Sequence, residues 1–198
     1  MIRVPRPKEP DTFDERCRQR GRRWLKAHPG YARPRDYWSA FEPDLRAAFC
    51  GLCGYCAMKV MKAQVDHFIS VDVLKATGED ELAYEWSNFR YGEAVLNQRK
   101  SNHRVLDPYT VRNDWFMILL PSLQLVLTSQ VPKNKRGLAD FTLVQLGLRD
   151  SEVVVRYREM WFRYYRERKL TLAGLKEIAP LIATAVETDL AAGKDWRA

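Results

Sequence analysis

Between Val65 and His103 the chain sets up a fixed register: Asp66 and His67 are adjacent, Asn88 follows His67 by 21 residues, Asn97 follows Asn88 by nine, and Lys100 follows Asn97 by three. The segment MKVMKAQVDHF reads as two short strand-forming pieces, and VDVLKATGEDELAYEW as the connection that follows them. Such a connection is long for a plain hairpin, so it must fold over something. A helix is expected from Tyr91 to His103. On it Asn97, Lys100, Ser101 and Arg104 stand at i, i+3, i+4 and i+7 and share one face, with His103 turned away from them. Adjacent strand residues point to opposite faces, so Asp66 and His67 serve one site only where the strand bends or ends.

The DH pair, the later Asn and the N-x8-N-x2-K run resemble the HNH, or ββα-metal, endonuclease superfamily. The resemblance covers about a fifth of the chain. It implies an α+β fold with a ββα nuclease core, in which an irregular hairpin brings Asp66 and His67 to one site. It further implies His67 as general base, Asp66 and Asn97 as metal ligands, and Asn88 as the residue that holds His67 in orientation across the hairpin loop. Many members carry a third ligand shortly after the Asn97 position, which makes His103 a candidate. Lys100 and Arg104 are then the expected phosphate contacts.

Those residue types suit phosphodiester hydrolysis. A neutral imidazole is the side chain best able to take a proton from water near neutral pH. A divalent cation stabilises charge building on the phosphoryl oxygens, and carboxylate and amide oxygens suit Mg²⁺ or Mn²⁺. DNA is the expected substrate and RNA the alternative, because such a site grips phosphate and reads little of the sugar. A non-catalytic nucleic-acid-binding or assembly module on the same scaffold is the competing class. Taken singly, an Asp-His pair and scattered asparagines equally suit turns and caps.

Cys50, Cys53 and Cys56 lie in FCGLCGYC, where zinc-bearing HNH proteins carry their first C-x2-C knuckle. The positions of a second ligand pair hold Glu93 and Leu96, so the four-cysteine set is broken. A three-thiolate zinc site completed by a distant His stands against small buried residues of a tight turn. Disulfides are not expected within so close a cluster without a secretory signal.

A net charge of +8 and a pI near 9.4 favour a polyanionic partner. No apolar run approaches the roughly 20 residues that span a bilayer, so a cytoplasmic protein without a membrane partner is expected. Residues 1–48 read as a basic helical segment after a Pro-rich lead, with a helix from Thr12 to about Ala27 capped by Asp11 or Thr12. Its Arg16, Arg18, Arg20, Arg22, Arg23 and Lys26 encircle the helix, as either a solvated surface or a DNA-backbone contact. EPDLRAAF reads as a short helix. Residues 49–106 hold the nuclease core. Residues 107–198 read as a mainly helical extension: a hairpin around Pro121-Ser122, a helical turn or two in FTLVQLGL, a helix capped by Ser151, and a last amphipathic helix restarted near Pro180. The aromatic stripe of Trp161, Phe162, Tyr164 and Tyr165 is expected in the core rather than stacked on bases.

The order of AYEWSN, N-x2-K, hairpin and LGLRD-x-E is also similar to HNH proteins of bacterial anti-phage and retron-type operons. That likeness implies an effector controlled by a neighbouring ATPase and allows an oligomer. No G-x4-GK[ST] phosphate loop occurs here, so ATP-driven control would come from another polypeptide.

Overall fold

In the computed structural model, which describes residues 1–60 and 63–197, Ala63–His67 (β1) pairs antiparallel with Phe89–Glu93 (β2). Met61 and Lys62, part of the first strand-forming stretch, lie outside the described residues. The register sets Asp66 opposite Arg90 and His67 opposite Phe89. Helix Ala94–Lys100 (α4) starts directly after β2, with Glu93 still extended at φ −62° and ψ 134°. The local order is therefore strand, strand, helix. The 68–88 connection folds into helix Val71–Thr77 (α3) and two 3-10 turns, Asp80–Tyr84 and Trp86–Asn88. Ser70 caps α3 by accepting the Val73 N–H at 3.3 Å, and Gly78 ends it in the left-handed region at φ 73°.

Before this unit come a π-helical turn Asp14–Gln19, helix Arg20–Ala27 (α1) and helix Glu42–Ala48 (α2). The expected side-chain cap at Asp11 or Thr12 is not made: Phe13 occupies the cap position without a side-chain hydrogen bond, and Asp14 and Glu15 instead place negative charge at the helix start. Arg18 is held by Glu9, Asp14 and Glu85, and Arg22 by Glu81 and Glu85. These two arginines tie the helix to the connection and are thereby withdrawn from the basic surface. Tyr84 crosses α1 so closely that a Cβ on Gly21 would lie 2.2 Å from its ring, so only glycine fits there.

After the β1–β2–α4 unit, Phe116–Leu119 (β3) and Gln124–Leu127 (β4) form a second antiparallel hairpin, as the apolar runs predict. Helices Lys133–Gln145 (α5), Glu152–Arg166 (α6), Leu172–Ile178 (α7) and Pro180–Ala191 (α8) complete the chain. The turn or two expected in FTLVQLGL is the end of the 13-residue α5. Ser151 precedes α6 but does not cap it by side chain; its Oγ accepts from Arg99 Nη1 at 3.0 Å. Phe162 and Tyr165 are buried, as a core stripe requires, while Trp161 and Tyr164 are half-buried. Among the described residues this is an α+β chain, and no helix is long and apolar enough to cross a membrane.

Two apolar clusters run across both expected boundaries, near residues 48 and 106. One joins Phe13, Cys17, Phe41 and Leu45 to Val65, Leu74, Phe89 and Tyr109. The other joins Cys53, Tyr55, Cys56 and Leu96 to the second hairpin and α5–α8. The β1–β2–α4 unit is thus supported from both ends of the sequence.

Candidate active site

His67 is the last residue of β1, which resolves the problem of adjacent strand residues: Asp66 and His67 both line an open cleft of about 440 Å³. Gln64, Asn97 and Arg33 line the same cleft. The imidazole of His67 meets the edges of Trp38 and Phe89, at centroid distances of 4.5 and 5.2 Å. Burial holds its pKa down to about 4, so the ring is neutral at pH 7. Nε2 lies 2.9 Å from the Ala83 carbonyl oxygen. A carbonyl can only accept, so Nε2 carries the proton and Nδ1 keeps a lone pair.

Asn88 acts on the backbone around this ring. Its Oδ1 accepts the Ile69 N–H at 2.8 Å, and its Nδ2 donates to the carbonyls of Ile69 at 3.1 Å and Leu82 at 3.2 Å. The main-chain oxygen of Asn88 accepts the Phe68 N–H at 2.7 Å. One side chain therefore joins the residues just past His67 to Leu82, next to the carbonyl that fixes the ring. Asn88 thereby fastens the 68–88 connection at both ends.

Asp66 is 1% exposed. The Tyr55 hydroxyl donates to its Oδ2, and Lys100 Nζ lies 3.1 Å from its Oδ1. Burial raises the Asp66 pKa, with the Lys100 ammonium and the Tyr55 hydroxyl opposing that rise. Burial and the adjacent Asp66 together push the Tyr55 phenol well up, which keeps it a proton donor.

Lys100 departs from expectation. It is 1% exposed, and besides Asp66 its ammonium donates to the carbonyls of His67 at 2.7 Å and Phe68 at 3.1 Å. An ammonium has three N–H donors, and all three are engaged here. Lys100 therefore underpins the strand end and Asp66, and does not stand free to meet a phosphate. Arg104 is also displaced: α4 stops at Lys100 because Ser101 turns to φ 46° and ψ −128°, and Arg104 lines a separate cavity with Phe68 and Asp107. The shared face extends from Asn97 to Lys100 only. His103 is exposed, outside the cleft, and edge-on to Phe141 at 5.7 Å, so it is not placed as a ligand beside Asp66.

The three thiols do not converge. Cys53 and Cys56 are buried and hydrogen-bonded to each other, and Cys53 Sγ also accepts the Glu93 N–H at 3.3 Å. Cys50 is exposed. Among the described residues no group of three or more His, Cys, Asp or Glu side chains is placed to hold a metal, and the arrangement of Cys53 and Cys56 is that of buried residues in a tight turn. The turn itself is made, with Cys53 N–H donating to Met58 and Ala57 N–H to Cys53.

Several contributors carry no pattern in the sequence. Tyr55 sits inside the cysteine turn, Trp38 lies 29 residues before His67, and the Ala83 contact is a backbone carbonyl. Arg90 is 2% exposed and grips Asp107 through two 2.8 Å bonds, locking β2 from below. Only its placement opposite Asp66 in a hairpin register could have drawn attention to it. No protein-family model, curated protein or solved structure matches this chain.

Proposed function

We propose that this chain is a metal-dependent endonuclease of the HNH kind that hydrolyses DNA phosphodiester bonds. One observation carries the reading: a neutral imidazole with its Nε2–H committed to Ala83, and its Nδ1 without a hydrogen bond among the described residues, shares a cleft with Asp66 and Asn97 at a strand–strand–helix junction. His67 Nδ1 accepts the proton of the attacking water. Asn88 fastens the loop that packs around the ring, and Lys100 fixes the strand end that carries it.

Asp66 and Asn97 carry oxygen donors of the kind Mg²⁺ or Mn²⁺ accepts beside phosphates, with the remaining positions left to water and substrate, and Asp66 would exchange its Tyr55 or Lys100 contact to take part. Asp66 and Asn97 would hold the ion. When bound, it supplies Lewis-acid stabilisation of the phosphoryl charge. The resemblance to anti-phage HNH proteins supports a role as an effector under the control of an operon-encoded ATPase.

The test is incubation of the purified protein with supercoiled plasmid and, in parallel, single-stranded RNA, with Mg²⁺, Mn²⁺ or EDTA. Cutting of plasmid in either metal and none in EDTA is expected, with Asp66→Ala losing both metal affinity and cutting. A non-catalytic nucleic-acid-binding module is the second reading. It is favoured by Asp66 being buried with both oxygens already engaged. Binding of DNA without cutting in any metal would select it.

A further inference from the structure

The correction at Lys100 leaves the cleft in need of another cation. Among the described residues that line it, Lys100 and Arg33 are the cationic ones, and Lys100 is fully engaged. Arg33 is exposed, and among the described residues its guanidinium makes no hydrogen bond, ion pair or ring contact.

The backbone around Arg33 is held on both sides. Lys75 Nζ donates to the carbonyls of Tyr31 at 2.7 Å and Ala32 at 3.4 Å, and the Tyr31 hydroxyl donates to Asp80. On the far side the Tyr84 hydroxyl donates to the Arg35 carbonyl at 2.8 Å, and Trp38 packs on His67 itself. Pro34 disfavours the helical conformation at Arg33. Lys75, Asp80 and Tyr84 all belong to the 68–88 connection, which also supplies the Ala83 carbonyl to His67. The loop that carries Arg33 and the loop that orients the base are therefore fastened together. A guanidinium on a pre-ordered backbone meets a phosphate with little further loss of entropy and can do so through two parallel N–H donors.

We propose that Arg33 is the phosphate contact of this cleft, gripping the nucleic-acid backbone beside the scissile bond in the role that the sequence pattern assigns to Lys100 and Arg104. The inference rests on the cleft being a nucleic-acid site. It adds a residue from outside the ββα unit, so substrate grip and catalysis come from different parts of the chain. Arg33 has no structural partner to lose, so its substitution leaves the fold intact.

The experiment uses the full chain with Arg33→Ala, Arg33→Lys and, as control, Arg35→Ala, an exposed arginine that does not line the cleft. Affinity for a short DNA duplex is measured in EDTA over a range of salt, and cleavage is followed in Mg²⁺. For Arg33→Ala we expect dissociation constant and KM to rise about tenfold, and the slope of log affinity against log salt to flatten by about one phosphate contact. Arg33→Lys should recover the salt slope, because the charge is kept, and only part of the affinity, because the paired donors are lost. Arg35→Ala should match the parent. If Arg33→Ala keeps the parent's affinity and salt slope, the inference is overturned while the parent's own cutting still supports the nuclease reading. If the parent neither binds nor cuts DNA or RNA, both fall together.

Discussion

The molecule contains two antiparallel hairpins of similar strand length, held in opposite ways. In the second, β3 and β4 are joined by the four residues 120–123, and Phe116, Ile118 and Leu125 are buried against the C-terminal helices. In the first, β1 and β2 are joined by the 21 residues 68–88, and the buried groups around the strands include Asp66, Asn88, Arg90 and Lys100. A two-stranded hairpin alone is marginal in water. Apolar burial secures the second, whereas the first adds a network in which each charge has partners: Lys100 on Asp66 and two carbonyls, Arg90 on Asp107. Replacing such pairs by apolar residues often leaves a protein as stable or makes it more so, so a buried polar network is not the cheapest scaffold. Here the network surrounds the strand end that brings Asp66 and His67 to the cleft.

That contrast can be broken experimentally, beginning with its largest element. Lys100→Met leaves the Asp66 anion buried without its cation, and loss of one partner of a buried pair costs about 3–5 kcal/mol. Urea unfolding at neutral pH should show this, and the loss should shrink as pH falls, because the raised Asp66 pKa lets that carboxyl take up a proton. Ile118→Ala in the second hairpin should cost about 2–5 kcal/mol with no such pH dependence and with unchanged cutting per folded molecule. Equal pH profiles for the two variants would erase the distinction.

The next effect is smaller and lies in the titration of His67. Its folded pKa of about 4 lies below the ordinary 6.5. Between these values the unfolded chain holds a proton that the folded chain lacks, so His67 makes stability fall as pH drops through that window, by about 3 kcal/mol at most. NMR titration of the metal-free protein should find the ring neutral at pH 5, and His67→Ala should remove this part of the acid dependence. An ordinary imidazole titration near 6.5 would refute the buried environment described. Smallest is Asn88→Ala, which strips partners from the Ile69 and Leu82 backbone. A loss of about 1–3 kcal/mol and a partial drop in cutting rate are expected, checked by thermal melting beside the plasmid assay.

Much of the architecture was legible in order and pattern. Apolar runs around Pro121 marked the second hairpin, Pro180 marked the restart of α8, and helical spacing put Phe162 and Tyr165 in the core, whereas residues 91–93, expected to open the helix, belong to strand β2 and the helix begins only at Ala94. The parts that were not legible depend on contacts distant in sequence. Lysine is ordinarily exposed, so nothing in N-x2-K announces that Lys100 is buried on three acceptors. The end of α4 at Ser101 is a backbone turn without Gly or Pro to mark it, and it removes Arg104 from the expected face. The start of α5 was hidden because Lys133–Gly137 is polar and glycine-bearing ahead of the apolar FTLV. The Cys50–Cys56 spacing looks like a ligand set only until burial separates Cys50 from the other two thiols.

The most direct test compares the parent with His67→Ala on supercoiled plasmid in Mg²⁺, with metal affinity measured on both. The parent should cut only with metal, and the variant should be slower by about 10²–10⁴-fold while binding metal normally, because it loses the base and no ligand. Cutting by His67→Ala at the parent's rate, or parental cutting that persists in EDTA, would contradict the account.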